Sequence, residues 1–400
     1  MTNRLVYRIW LRFTFGGGSA GFFPPPVLTM LGHREIARNA MSTDFYTHST
    51  PTLRSRFRGC LLAGAAGDAL GAAVEFDSRE AMIARFGEGG IRHYAPAYGL
   101  PCAITDDTQM TLFTAEGLIR GLMRYRQAGL IEYLQVTAWA YQRWLLTQEQ
   151  SNRFHLDPLH PDSGWLYEVA ALHSRRGPGM TCLSALRDTE TPGDPARNNS
   201  KGCGGVMRMA PVGLFADSAE EAFSLGCELS ALTHGHPSGW FAGGAMAAMI
   251  STLRDGGDID DALTVALDNL AGQLDADETI AALERAADLA STDLPYAEAI
   301  AQLGEGWVAE EALAIAVYCA LVATDLQEAL VIAVNHDGDS DSTGAIAGNL
   351  LGAHWGDEAI PASLLEPLEL RDVITQVADD LLDCVDWQPD EAVLQRYPAF

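Results

Sequence analysis

The sequence predicts an all-α fold, a single large helical globule covering roughly residues 53 to 390. Three observations carry that prediction. Helix signals dominate from residue 53 onward. Alternating apolar and polar runs of the kind a strand needs are scarce. No internal repeat is visible, and no linker-like stretch divides the chain.

Residues 1 to 50 stand apart from this pattern. Arg4, Arg8 and Arg12 share one helical face opposite Leu5, Ile9, Trp10 and Phe13, and "GGGSAGFFPPP" then stops any helix. A basic amphipathic start suits a membrane surface or a transit segment. Arg8 and Arg12 nevertheless interrupt any secretory apolar stretch. The expectation is an atypical extension over 1–50, disordered or upstream of a working start at Met41, followed by one domain over 51–400.

"LRSRFRGCLLAGAAGDALG" from residue 53 reads as a helix running into a glycine-rich turn. "DDTQMTLFTAEGLIRGLMRYR" offers a partly apolar face through Met110, Phe113, Gly117 and Met123. "PSGWFAGGAMAAMISTLRDG", "DETIAALERAADLA" and "EEALAIAVYCALVA" read as further helices. "TGAIAGNLLGAHWG" places Gly344, Gly348 and Gly352 four apart, a stripe that admits another backbone at close range.

Composition narrows the function classes. Net charge is −27, and residues 1 to 50 hold five of the 26 basic residues but only two of the 53 acidic ones. The remainder therefore carries 21 against 51, or −30. Such a body is a poor binder of phosphate backbones, which argues against nucleic acid, whereas an acidic cleft attracts cations. Seven cysteines, odd in number and never spaced C-x-x-C, point to reduced thiols in a cytoplasmic protein. No apolar run reaches the roughly 20 residues of a membrane span. Lys201 is the single lysine beside 25 arginines.

"HDGDSDST" sets Asp337, Asp339 and Asp341 at alternate positions. An EF-hand would need Gly sixth and Glu twelfth, where this chain has Ser342 and Gly348, so that reading fails. Helix capping and cation binding both stay open. "TDDTQM" repeats the pattern, with Thr105 as a cap and Asp106 and Asp107 in a first turn. If the two ends faced each other, like charges 4 Å apart would repel by about 4 kcal/mol at an effective dielectric near 20. Oxygen-only ligands would then call for Mg²⁺, Mn²⁺ or Ca²⁺. "SKGCGGVMR" is no Walker A loop, yet its glycines could turn amides toward a phosphate, or simply form a tight turn. "THGHP" brings His234 and His236 before a helix, as structural rings or as contacts for a base or sugar.

"GCLLAGAAGDALGAAVEF", "TDDTQMTLFTAEGL", "RRGPGMTCLSAL", "NNSKGCGGVMRMAPVGLF", "THGHP" and "GDSDSTGAIAGNLLGAHWG" occur in that order over residues 55–357. Together they resemble the ADP-ribosylglycohydrolase family, typified by the dinitrogenase-reductase-activating glycohydrolase. The resemblance implies a central cleft holding two Mg²⁺ or Mn²⁺ ions per chain. Its metal ligands would be Thr105, Asp106, Asp107, Asp339, Asp341 and Ser342, with Asp337 outside the set. Catalytic roles would fall to Asp106, Asp107 and Glu75. Ser200, Lys201, Gly202, Cys203, Gly204 and Gly205 would hold the diphosphate, and His234 and His236 would line the nucleotide cleft. The implied reaction frees ADP-ribose from a protein residue, arginine by preference, in a monomeric cytoplasmic enzyme. The alternatives are an O-linked (serine or acetyl) ADP-ribose hydrolase and a non-catalytic ADP-ribose binder of the same fold. A two-metal phosphoesterase is a third, separable by its AMP product.

Overall fold

A computed structural model describes residues 50–154 and 164–399. All but the last residue of the expected N-terminal extension lies outside them. The Thr52 hydroxyl accepts the Ser55 amide at 3.1 Å and starts α1 (Leu53–Gly71). The glycine-rich end read as a turn stays helical through Gly71, because those glycines are packed against another helix.

The chain continues through α2 (Arg79–Phe86), α3 (Asp106–Ala128), α4 (Tyr133–Thr147), α5 (Met180–Asp188), α6 (Ala210–Phe215), α7 (Ala219–Ala231) and α8 (Pro237–Arg254). Next come α9 (Ile259–Leu270), α10 (Asp277–Ala290), α11 (Tyr296–Ile300), α12 (Ala309–Val322), α13 (Leu326–Val334) and α14 (Ser340–Trp355). Last are α15 (Ala362–Leu365), α16 (Arg371–Asp383) and α17 (Glu391–Arg396). Among the described residues the only β-pairings are isolated bridges, Ala97 with Leu100 and Gly202 with Val308. The fold is all-α, as the sequence indicates. Residues 48–400 form one compact unit.

Helix α14 is buried from Ser340 to Ala353, and α8 and α12 are buried on nearly every side. Helices apolar all round belong at the centre of a globule. The peripheral α9, α10 and α16 bury one apolar stripe each and turn acidic residues outward. No described helix is long and apolar enough to cross a membrane.

One seam positions the site. A Cβ added to Gly59 would stand 2.3 Å from the Gly352 carbonyl oxygen, and one added to Gly348 would stand 2.1 Å from that of Ala63. At Gly67 the Gly344 oxygen would be 2.0 Å away, and at Gly71 the Ser340 oxygen 2.3 Å. As one number rises by four its partner falls by four, so α1 and α14 run antiparallel with their backbones touching. The glycine stripe read from the sequence is thus one half of a two-helix seam. Its end brings the last turn of α1 against the first turn of α14, where Asp339 and Asp341 sit.

Candidate metal centre

Two helix starts make the site. At α3 the Thr105 hydroxyl accepts the Asp107 amide at 3.3 Å. Asp68, near the end of α1, accepts the Thr105 amide at 3.0 Å and the Thr108 amide at 3.1 Å, besides the Thr108 hydroxyl. One buried carboxylate on α1 therefore sets the orientation of the "TDDT" turn. At α14 the Asp339 carboxylate accepts the Ser342 amide at 3.3 Å, and Asp341 accepts the same amide at 2.9 Å. The Asp339 amide donates to the Glu305 carbonyl at 2.8 Å. Gly338 turns with φ 123°, and a side chain there would strike that same carbonyl.

These starts meet. The Ser342 side chain lies close to Asp107, and Asp341 lies within electrostatic reach of Glu75, Asp107 and Asp339. Thr105, Asp106, Asp107, Asp339, Asp341 and Ser342 are all buried, as are Asp68 and Glu75. Burial, the largest cause, pushes the Asp106, Asp107 and Asp341 carboxyls well above the usual range, and neighbouring carboxylates push them further. Glu75 rises to about 8 through burial first, then Asp339 and Asp106. Asp68 rises to about 6 through burial, against the bonds from Thr108 and Thr105.

Two oxygens decide what the cluster lacks. Asp107 Oδ1 and Glu75 Oε2 are buried without a hydrogen-bond partner. A buried acceptor left unpaired destabilises by about 1–3 kcal/mol, more when charged, and a cation beside either oxygen would satisfy it. The oxygen-only donors fit a hard cation such as Mg²⁺, Mn²⁺ or Ca²⁺ rather than zinc. Among the described residues no three His, Cys, Asp or Glu side chains stand in ready-made ligand geometry. The fit therefore rests on donor chemistry and on these two oxygens.

A stability measurement follows. Glu75 and Asp68 have folded pKa values above their unfolded ones. Their contribution to stability is full below the ordinary carboxylate range. It is lost as pH climbs through about 6 for Asp68 and about 8 for Glu75. In EDTA the melting temperature should fall between pH 5 and pH 8. Mn²⁺ at a hundred times its Kd should add about 2.7 kcal/mol, a rise of roughly 4 °C, and more at the alkaline end. Equal melting with EDTA and with Mn²⁺ at pH 8 would remove the cation from the picture.

The other expected residues are placed as follows. Asp337 accepts the Arg79 amide at 2.8 Å and so faces the start of α2. The Ser200 hydroxyl pairs with that of Thr181 at 3.1 Å. Lys201 bonds Glu278 at 2.9 Å and also the buried Glu310, so its ammonium already has two carboxylates. Cys203 reaches the cluster, its thiol donating to Asp339 Oδ2 at 2.7 Å. Added Cβ atoms on Gly202, Gly204 and Gly205 would lie 3.1–3.4 Å from the His234 ring. His234 is therefore the support beneath the loop, buried and held neutral with its pKa down at about 3, by burial first and Arg208 second. His236 caps α8, its Nδ1 accepting the Ser238 amide at 3.2 Å. Lys201, His234 and His236 thus make structural contacts that the sequence did not reveal.

Three features were missed. Asp68 was readable as a lone carboxylate inside "AGAAGDALG". Tyr98, at φ 50°, stands by Glu75, and burial and that carboxylate raise its pKa. Phe76 and Trp307 stack at 5.9 Å, on loops that carry Glu75 and adjoin Asp339 respectively. Tertiary approach alone brings those rings together.

Fold and site define an all-helical protein with a buried acidic cluster between two helix starts, whose oxygen donors suit hard divalent cations. The sequence model of the ADP-ribosylglycohydrolase family matches residues 49–390, and the chain belongs to that family. An uncharacterised protein of Archaeoglobus fulgidus is 28% identical, over 83% of this chain and 97% of its own. The ADP-ribosylhydrolase ARH3 of Bos taurus is 25% identical over 80% of this chain and 92% of its own. The ADP-ribosylarginine hydrolase Tri1 of Pseudomonas putida is 24% identical over 82% of this chain and 78% of its own. A solved structure titled ADP-ribosylglycohydrolase-related protein complex superposes with a TM-score of 0.60 at 26% identity, covering 83% of this chain and 98% of that one. Membership makes hydrolysis of ADP-ribosylated substrates the general activity.

Proposed function

We propose that the protein hydrolyses the N-glycosidic bond between ADP-ribose and a modified arginine, reversing mono-ADP-ribosylation. The observation that carries this is the convergence of Asp106 and Asp107 with Asp339 and Asp341 around two unpaired carboxylate oxygens. Support for arginine comes from the GDSDST segment and from the similarity to an ADP-ribosylarginine hydrolase.

Thr105, Asp106, Asp107, Asp339, Asp341 and Ser342 would hold two divalent ions, which when bound supply Lewis-acid polarisation and neutralise the cluster. Glu75, or one of Asp106 and Asp107, takes the proton from the attacking water. The same carboxylates face the positive charge that grows on the sugar as the leaving group departs. In the 200–205 loop the amides of Ser200, Gly202 and Cys203 already bond Asn198, the Ser200 hydroxyl and the Trp307 carbonyl, so the remaining ones would meet the diphosphate, with His234 beneath the loop and the Cys203 bond to Asp339 holding it in place. All seven cysteines are free, which suits the proposed cytoplasmic setting.

Incubating the protein with ADP-ribosylated arginine protein and Mg²⁺ should release intact ADP-ribose, and EDTA should stop it. Release only from a serine-linked substrate would reassign the linkage. AMP as product would replace glycosidic by phosphoester cleavage, and no product at all would sink the enzyme reading.

A further inference from the structure

The loop before α3 holds a residue that its local backbone does not favour. Ala97 and Leu100 exchange backbone hydrogen bonds at 3.0 and 2.9 Å, and between them Tyr98 and Gly99 both have positive φ, 50° and 81°. A two-residue turn with both central φ angles positive is a type I′ hairpin turn, whose first position suits Asn, Asp or Gly. Tyrosine there is strained. Burial does not offset that strain, because Tyr98 is 44% exposed.

What the turn achieves is a placement. Around the point where a Cβ on Gly177 would stand are Tyr98 Oη at 2.9 Å, Glu75 Oε2 at 3.5 Å and Asp106 Oδ1 at 3.7 Å. The backbone beneath that point is well held. The Arg176 carbonyl accepts the Asp106 amide at 3.2 Å, and the Gly179 amide donates to Asp106 Oδ2 at 3.3 Å. The Arg176 guanidinium bonds Glu369 at 2.8 Å and the Ile104 carbonyl at 3.1 Å. Glu75 is buried, and its Oε2 has no hydrogen-bond partner. Burial and then Asp339 raise the Glu75 pKa most, and the nearby Tyr98 hydroxyl acts the other way.

We propose that Tyr98 is a positioning residue, its hydroxyl donating to Glu75 Oε2 so that the other oxygen of that carboxylate faces the attacking water. This rests on Glu75 as the group that takes the proton. Catalytic hydrogen bonds that are loose in a free enzyme tighten once substrate fills the site. The turn keeps a strained residue because Asn, Asp or Gly, at ease there, would bring no phenolic hydroxyl to that oxygen.

Release of ADP-ribose from ADP-ribosylated arginine protein with Mg²⁺, over a range of substrate concentrations, tests it. If the parent acts only on a serine-linked substrate, the same variants are compared on that one. Tyr98→Phe should lower kcat about 10- to 100-fold and leave KM nearly unchanged. Tyr98→Asn should lose as much kcat yet melt no lower than the parent, since Asn suits the turn. In a Glu75→Gln background, followed in single turnover at high enzyme concentration, Tyr98→Phe should bring no further loss, because the hydroxyl acts through that carboxylate. Parent-like kcat in Tyr98→Phe overturns the proposal. So does a further tenfold loss in the Glu75→Gln background, or a lower melting temperature in Tyr98→Asn. Parent-like turnover in Glu75→Gln alone would instead remove Glu75 as the proton acceptor, and this proposal with it.

Discussion

Asp339→Asn is expected to cut ADP-ribose release about 1000-fold or more while leaving the metal-free protein at least as heat-stable as the parent. The two halves of that result have one cause. Asp339 is buried within electrostatic reach of Glu75, Asp106, Asp107 and Asp341, and its charge raises the pKa of each of them. Removing it relieves repulsion in the metal-free state, and the amide can still accept the Ser342 backbone N–H that the carboxylate accepts at 3.3 Å. The cost appears only where a divalent cation is needed. A lost ligand charge that withdraws roughly 4 kcal/mol from the transition state gives the thousandfold drop. Turnover assays and melting curves with EDTA and with Mn²⁺ measure both halves. Wild-type activity in the variant, or an unchanged gain in melting temperature on adding Mn²⁺, would take Asp339 out of the ligand set.

Gly348→Ala is the second. On an ordinary helix this change adds about 1 kcal/mol of stability through backbone propensity. Here the new methyl group would stand 2.1 Å from the Ala63 carbonyl oxygen and 2.5 Å from its carbon, both rigid backbone atoms. The helices must part, and overpacking of this kind costs about 1–3 kcal/mol, so the net effect is expected to be a loss of about 1 kcal/mol. Denaturant unfolding gives the sign directly. Because the seam ends at the carboxylate cluster, the variant should also bind Mn²⁺ more weakly, although Gly348 touches no ligand. A stabilised variant would show that α1 and α14 do not pack as closely as described.

Much of this was legible in the chain and some was not, for physical reasons. Helices announce themselves through local spacing, so Thr105 as a cap and the helix after it were readable, as was a helix following His236. The stripe of Gly344, Gly348 and Gly352 showed that a backbone would come close, but not which one. The capping reading of the HDGDSDST segment is met at α14, which starts at Ser340 because Asp339 takes the capping position. Partners distant in sequence were invisible. Nothing near Lys201 hints at Glu278 and Glu310, and nothing in "THGHP" reveals that His234 will lie beneath three glycines. The glycines of that loop looked like phosphate binders, and the structure gives them a second reason to lack side chains. Asp68 hid because a single acid in an apolar helix carries no periodic signature.

The pairing of α1 with α14 also sets a schedule for the protein's birth. Helix α1 is partnered by one ending at Trp355, 284 residues beyond Gly71. At about 5–20 residues per second, that leaves roughly 15–60 s in which its bare small-residue face has no mate. Nascent chains arrested before that point should be unable to capture manganese and should be the ones that chaperones hold.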